Sequence, residues 1–253
     1  MTEIELSSRD GVATITLAAP RRRNALTVAM ARELIDAAHT AGNDPAVGAV
    51  VVRGSGGHFC AGAHRDVLAA AEEDPVGSGP YEDLGTLYES FATVGKLGVP
   101  VVAAVRGSAV GAGVNLLLAA DVRVVARDAR ILAGFTAIGL HPGGGHLLLA
   151  ATAMGRQGAA ALALLGQELD GEAAFRAGLA WECVDDDEVD ERALALAAGA
   201  GRDPELTRRI TASFRRTVPP SATEWEVALE AERASQLWSL RRRGSLRGTG
   251  GST

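Results

Sequence analysis

Twice in this chain an apolar run of β-type residues stops at a cluster of glycines. Val47 to Val52 leads into GSGGHFCAGA, and Val99 to Val105 leads into RGSAVGAGVN, after which LLLAAD reads as a helix. A short apolar run bounded by glycine is what a strand buried on both faces requires. A glycine bend at its end lets the backbone approach a ligand closely. The pattern predicts a buried sheet whose strand ends present bare backbone N–H groups, either to a nucleotide phosphate or to the oxygen of a reacting carbonyl. The bends alone do not choose between the two.

The rest of the chain supplies a frame for that sheet. IELSSRDGVATITLAAP reads as a β-hairpin, with Asp10-Gly11 at its tight turn. Thr27 caps a helix to about Ala41, with Met30, Leu34, Ala37 and Ala38 on one face. DPVGSGP, residues 74 to 80, reads as a loop bordering a pocket, and Tyr81 to Leu97 as a helix. In that helix Tyr81, Leu84, Tyr88 and Phe91 either line a pocket or form a buried face. Strands are expected at 122 to 126 and 180 to 184, with helices from 113 to 120 and over most of 145 to 243. Strands alternating with helices make this an α/β chain followed by a helical region. The tail GSLRGTGGST has the composition of a disordered segment.

Composition closes several doors. With 253 residues, 47% of them apolar, the chain can bury roughly three quarters of its unfolded surface. A net charge of -6 argues against a general nucleic-acid binder. MTEIELSSRD lacks the basic and apolar regions of a signal peptide, and no uninterrupted apolar run has the length of a membrane span, so no membrane partner and a cytoplasmic location are expected. Cys60 and Cys183 are expected to be reduced thiols. The five histidines, His39, His58, His64, His141 and His146, show no metal-ligand spacing, so no metal is expected.

The glycine loops must therefore be read by elimination. Gly107-x-x-x-Gly111-x-Gly113 has the spacing of the short-chain dehydrogenase loop, but it lies far from the first strand, no Tyr-x-x-x-Lys precedes Lys96, and no acidic residue ends a following strand. Gly-Lys-Ser/Thr occurs nowhere, which removes a P-loop. In GSAVG the serine adjoins the first glycine, which is wrong for a nucleophile elbow. What remains is two bends able to give one N–H each, an oxyanion hole for a thioester becoming an enolate.

RRRNALT, DPAVGAVVVRGSGGHFCAGA and AVRGSAVGAGVNLLLAADVRVVA, in that order and spacing, resemble the crotonase superfamily of enoyl-CoA hydratases and isomerases. The resemblance covers about residues 3 to 200. It implies a ββα spiral core over residues 1–190, a C-terminal helical trimerisation region over 191–243 ahead of the tail 244–253, and a homotrimer or dimer of trimers. It also implies an acyl-CoA substrate and no separate cofactor, since CoA enters as part of the substrate. The hole would be formed by the N–H groups of Ala63 and Ala112. The CoA would lie along Arg22 near its phosphates, with the backbone of Ala61, Gly62 and Ala63 beside the adenine, and Gly111 is expected among the substrate-binding residues.

The family's acid and base are where the pattern breaks. The two glutamates that deliver water in hydratases fall at Asn115 and Phe135 in this chain, and no Asp or Glu occurs between Asp128 and Glu168. Neither an amide nor a phenyl ring exchanges protons near neutral pH, so ordinary crotonyl-CoA hydration is expected to be weak or absent. His64 beside the hole and His141 in GLHPGGG are the candidates for moving a proton instead, Asn115 for holding substrate or water, and Phe135 for a pocket wall. A non-catalytic acyl-CoA carrier is the alternative reading. Arg241 to Arg243 stand where relatives reach a neighbour's CoA, as phosphate partners or as a solvated cluster.

Overall fold

The computed structural model describes residues 2–249, and of residues 247–249 the backbone alone. Strands β1 (Ile4–Arg9) and β2 (Val12–Leu17) form the expected hairpin, with Asp10 and Gly11 both at positive φ. After α1 (Val28–Asn43), strand β3 (Ala49–Gly54) pairs parallel with β2. Helices α2 (Arg65–Glu73) and α3 (Ser78–Gly95) precede β4 (Val101–Val105). Then come β5 (Ser108–Val110), α4 (Ala112–Ala119), β6 (Val122–Ala126) and β7 (Arg130–Leu132). Helix α5 (His146–Ala159), β8 (Glu168–Leu169), α6 (Gly171–Arg176) and β9 (Glu182–Val184) complete the α/β part. Three helices follow, α7 (Val189–Gly201), α8 (Pro204–Thr217) and α9 (Ala222–Thr249).

Six strands form one sheet in the order β1-β2-β3-β4-β6-β9, antiparallel only at the hairpin, and β5-β7-β8 form a second, smaller sheet. β4 and the first four residues of β3 are apolar because both faces are covered. Val50, Val52, Val101, Ala103 and Val105 pack into the larger core with Met30 and Leu34 of α1 and Leu87 and Phe91 of α3. Ala49, Val51, Val102 and Ala104, pointing the other way, pack against Val189, Ala193 and Ala197 of α7.

Several boundaries differ from the sequence reading. Residues 78 to 80 of the expected loop already belong to α3. The 107 to 111 bend contains β5, and α2, β7 and β8 carry no periodicity long enough to announce them. The tail expected to be disordered from 244 is helical through Thr249, while residues 250–253 lie outside the described residues. Packing overrides composition here: Arg243 pairs with the buried Glu72 at 3.0 Å, and a Cβ on Gly244 would sit 2.6 Å from the Glu72 carbonyl, so α9 lies tight against α2.

His146–Leu164 is long and apolar enough to cross a membrane by length and mean hydropathy of 1.3. It is not a straight span, since Gly155, at φ 68 and ψ 175, breaks the helix. Its first turn is anchored in the core through His146, Leu149 and Ala150.

Candidate functional site

Asn24, fully buried at φ 56, fastens the exit of β2 to the loop after β3. Its Oδ1 accepts from Ala19 N–H at 2.9 Å, and its Nδ2 donates to the carbonyls of Ser55 at 3.0 Å and His58 at 2.7 Å. The loop 60–64 is then laid beside residues 23–26: Ala61 N–H donates to Arg23 O, Leu26 N–H to Gly62 O and His64 N–H to Leu26 O, at 2.9, 2.7 and 2.8 Å. Ala63 N–H, between these bonds, has no acceptor among the described residues.

The second loop is pinned in the same way. Val110 N–H donates to Cys60 O at 2.9 Å and Gly111 N–H to Leu132 O at 3.1 Å, while Val114 N–H turns back to Gly111 O as α4 begins. Ala112 N–H, first in that helix, is left without an acceptor among the described residues and carries the positive end of the helix dipole. Two glycines bring the loops together. A Cβ on Gly62, at φ +88, would lie 2.5 Å from Val110 O and 3.3 Å from Ala112 N, and one on Gly113 would lie 2.1 Å from Cys60 O. Ala63 and Ala112 themselves have ordinary negative φ, so their side chains bring no strain. The Cys60 thiol donates to Asn24 O, and burial pushes its pKa up to about 12, so it is a packing group.

Ala63 and Ala112 both line a cavity of about 220 Å³. Leu68 of α2, Leu84, Leu87 and Tyr88 of α3, Leu132, Phe135, Ile138, Leu140 and Gln236 of α9 supply most of the remaining wall. Phe135, Ala61, Gly62 and Gly111 also line it. Of the α3 residues singled out, Leu84 and Tyr88 face the cavity; Phe91 is core, and Tyr81 lies under the Arg233 guanidinium, 4.3 Å from the ring centroid.

Asn115 lines the cavity too, but its amide is committed. Nδ2 donates to Gly143 O at 2.7 Å, and Oδ1 accepts from Nδ1 of His146 at 2.6 Å. His146 is fully buried, packed edge-on against Phe135 with centroids 5.0 Å apart. Burial lowers its pKa to about 4, so it is neutral, with Nε2 unpartnered. Glu232 of α9, also buried, accepts from the N–H groups of Gly145, His146 and Leu147 at 2.8, 2.9 and 2.8 Å and so caps α5. Desolvation raises its pKa against the pull of those three donors.

The structure does not bring the two candidate proton carriers to the cavity wall. His64 caps α2, its Nδ1 accepting from Asp66 N–H at 3.4 Å, and the His141 Nδ1 lies 2.7 Å from Pro142 O. Arg22 is likewise absent from the wall: its guanidinium pairs with Glu3 and donates to Ala25 O, and the Glu3 carboxylate raises its pKa. Arg243 is paired with Glu72, and Arg242 stacks over Trp238. No carboxylate, imidazole or amine lines the cavity among the described residues, and among these Tyr88 is its one titratable side chain. Sequence reasoning missed Gln236, Glu232 and the wedge of Asn24, since each acts across a long separation that no local pattern marks.

The profile described as enoyl-CoA hydratase/isomerase matches residues 7–244, so the chain belongs to that family, the crotonase superfamily. It is 43% identical over 222 residues, 87% of this chain and 84% of the other, to the Mycobacterium tuberculosis protein designated "Probable enoyl-CoA hydratase EchA14". It is 35% identical over 77% of its length to the 1,2-epoxyphenylacetyl-CoA isomerase of Escherichia coli K12, covering 74% of that protein. The crystal structure of an enoyl-CoA hydratase from Mycobacterium avium subsp. paratuberculosis superposes with a TM-score of 0.82 at 29% identity over 99% of both chains.

Proposed function

We propose that this chain binds an acyl-CoA thioester with its carbonyl oxygen between the N–H groups of Ala63 and Ala112, and stabilises the enolate that forms there. The observation that carries the reading is the pair of unclaimed N–H groups, on loops locked in contact by Gly62 and Gly113, in the wall of an otherwise apolar cavity. Such donors, fixed before charge develops, cost no reorganisation when the oxyanion appears.

Hydration by a glutamate pair is not part of the reading. With Asn115 tied to His146 and Gly143, and Phe135 forming wall, no side chain lining the cavity among the described residues delivers or withdraws a proton from water at neutral pH. Each missing acid–base group is worth about 100-fold to 10,000-fold in rate. A proton leaving Cα as the enolate forms would have to pass to a basic oxygen of the acyl group itself, since no side chain lining the cavity among the described residues accepts it at neutral pH; that restricts turnover to isomerisation of an acyl-CoA that carries such an oxygen. The absence of titratable groups other than Tyr88 from the wall also favours a second reading, a non-catalytic acyl-CoA carrier in the cytoplasm. Acyl-CoA binding measured alongside a turnover panel separates the two, since the carrier reading requires binding without product. A homotrimer is part of the same proposal; Leu206, Ile210 and Phe214, spaced along one exposed stripe of α8, are the apolar surface that supports it.

A further inference from the structure

Three stretches of backbone line the cavity: residues 61–63, residues 110–112 and most of residues 132–140. The first two are bonded into their neighbours. Leu26 N–H donates to Gly62 O at 2.7 Å, Val110 N–H to Cys60 O at 2.9 Å and Gly111 N–H to Leu132 O at 3.1 Å. The third stretch is fastened only at its two ends. Strand β7 stops at Leu132, and His141 N–H donates to Ser239 Oγ of α9 at 2.9 Å. Between them, residues 133–140 make no hydrogen bond to any other part of the chain among the described residues. Their bonds stay inside the stretch: Ile138 and Leu140 N–H donate to Phe135 O, and Gly139 N–H to Thr136 O.

Burial divides the stretch in the same way. Ala133, Phe135 and Leu140 are buried, whereas residues 136–139 are exposed, Ile138 to 46%. Gly134 at φ +71 and Gly139 at φ +66 flank the single 3-10 turn Thr136–Ile138, and a Cβ on them would meet nothing nearer than 3.5 and 3.9 Å. These two glycines therefore serve backbone conformation rather than close packing, and glycine moves between backbone regions without a side-chain penalty. A wall segment with no cross-bond, an exposed middle and a glycine at each end opens at lower free energy than loops bonded into their neighbours.

Resting on the acyl-CoA reading above, we propose that residues 134–139 form a lid, which swings about Gly134 and Gly139 to admit the acyl group and then settles over it. The lid carries the Phe135, Ala137 and Ile138 part of the wall with it, while the loops of Ala63 and Ala112 stay fixed. The bonding matches that division, because the donors of an oxyanion hole act only if they are already in place.

A tether tests the motion. A Cβ on Gly166, just ahead of β8, would lie 2.8 Å from Thr136 Oγ1, so Thr136→Cys combined with Gly166→Cys brings two thiols within reach of a disulfide that fastens the lid. Association of hexanoyl-CoA with the immobilised protein, followed by surface plasmon resonance, is expected to slow about tenfold or more in the oxidised variant and to recover on reduction. The parent treated with the same oxidant is expected to be unchanged. Hydrogen exchange on the ligand-free parent reads the lid without any thioester: the amides of Ile138, Gly139 and Leu140 are expected to be protected at least about 100-fold less than those of Leu26, Val110 and Gly111. Equal association rates in the oxidised and reduced forms, or equal protection of the two sets of amides, overturns the lid and leaves the acyl-CoA reading standing. Failure of the parent to bind any thioester overturns the acyl-CoA reading and this inference together.

Discussion

The Cβ position of Gly62 lies 3.3 Å from the backbone nitrogen of Ala112, and closer still, at 2.5 Å, to Val110 O. Two loops separated by about fifty residues are thus in backbone contact where two N–H groups are free. Gly62→Ala is expected to lose acyl-CoA binding out of proportion to stability. The left-handed φ costs roughly 1 to 2 kcal/mol, while the clash with Val110 O pushes the two donors apart. Thermal melting and thioester titration on the same preparation check the split.

Asn115 holds a second junction, between α4, the Gly143 turn and His146. Replacing it by leucine strands the His146 Nδ1–H and Gly143 O. Two buried groups at roughly 1 to 3 kcal/mol each give an expected loss of about 2 to 6 kcal/mol. Urea unfolding of Asn115→Leu measures it.

His146 makes the fold acid-sensitive. Its pKa is about 4 in the folded chain against an ordinary 6.5, so below 6.5 the unfolded chain takes up a proton that the native one refuses. Stability from this group is full above pH 6.5, falls as the pH drops and levels off below about 4. The loss amounts to about 3 kcal/mol. Glu232, whose pKa is raised, changes stability in the opposite sense but is common to parent and variant. His146→Gln is therefore expected to show a shallower decline between pH 6.5 and 4, read by chemical denaturation across that range.

Glu232 fastens α9 to the start of α5 through three backbone N–H groups. Glu232→Ala is expected to free α9 before the core unfolds, since the donors it leaves lie at a helix N-terminus and hold the helix by no other acid. Limited proteolysis is expected to cut within α9 in the variant under conditions where the parent is intact.

The hairpin, the buried strands and the two glycine bends were legible because each is a local pattern: Asp10-Gly11 between alternating residues, and apolar runs ending at Gly54 and Gly107. Asn115 and Phe135 line the cavity, and sequence position alone singled out both residues. His64 and His141 looked eligible as proton carriers because they sit near the right motifs, but a capping bond and the Pro142 carbonyl occupy their Nδ1 atoms and neither reaches the cavity wall. The fate of the C-terminal segment was hidden because Gly244 and Arg243 read as linker until α2 supplies Glu72 to pack against. Gln236 and Glu232 sit four residues apart on one polar-looking helix, and only its docking shows that one serves the cavity and the other the end of α5.

The most direct test of the oxyanion-hole account is calorimetric titration with acetyl-, crotonyl- and long-chain acyl-CoA, with hydration of crotonyl-CoA followed on the same samples. The account predicts that at least one thioester binds, and that hydration runs at no more than about a hundredth of the rate of a hydratase bearing both glutamates. Hydration at the full rate of such an enzyme, or no binding of any thioester, would contradict it.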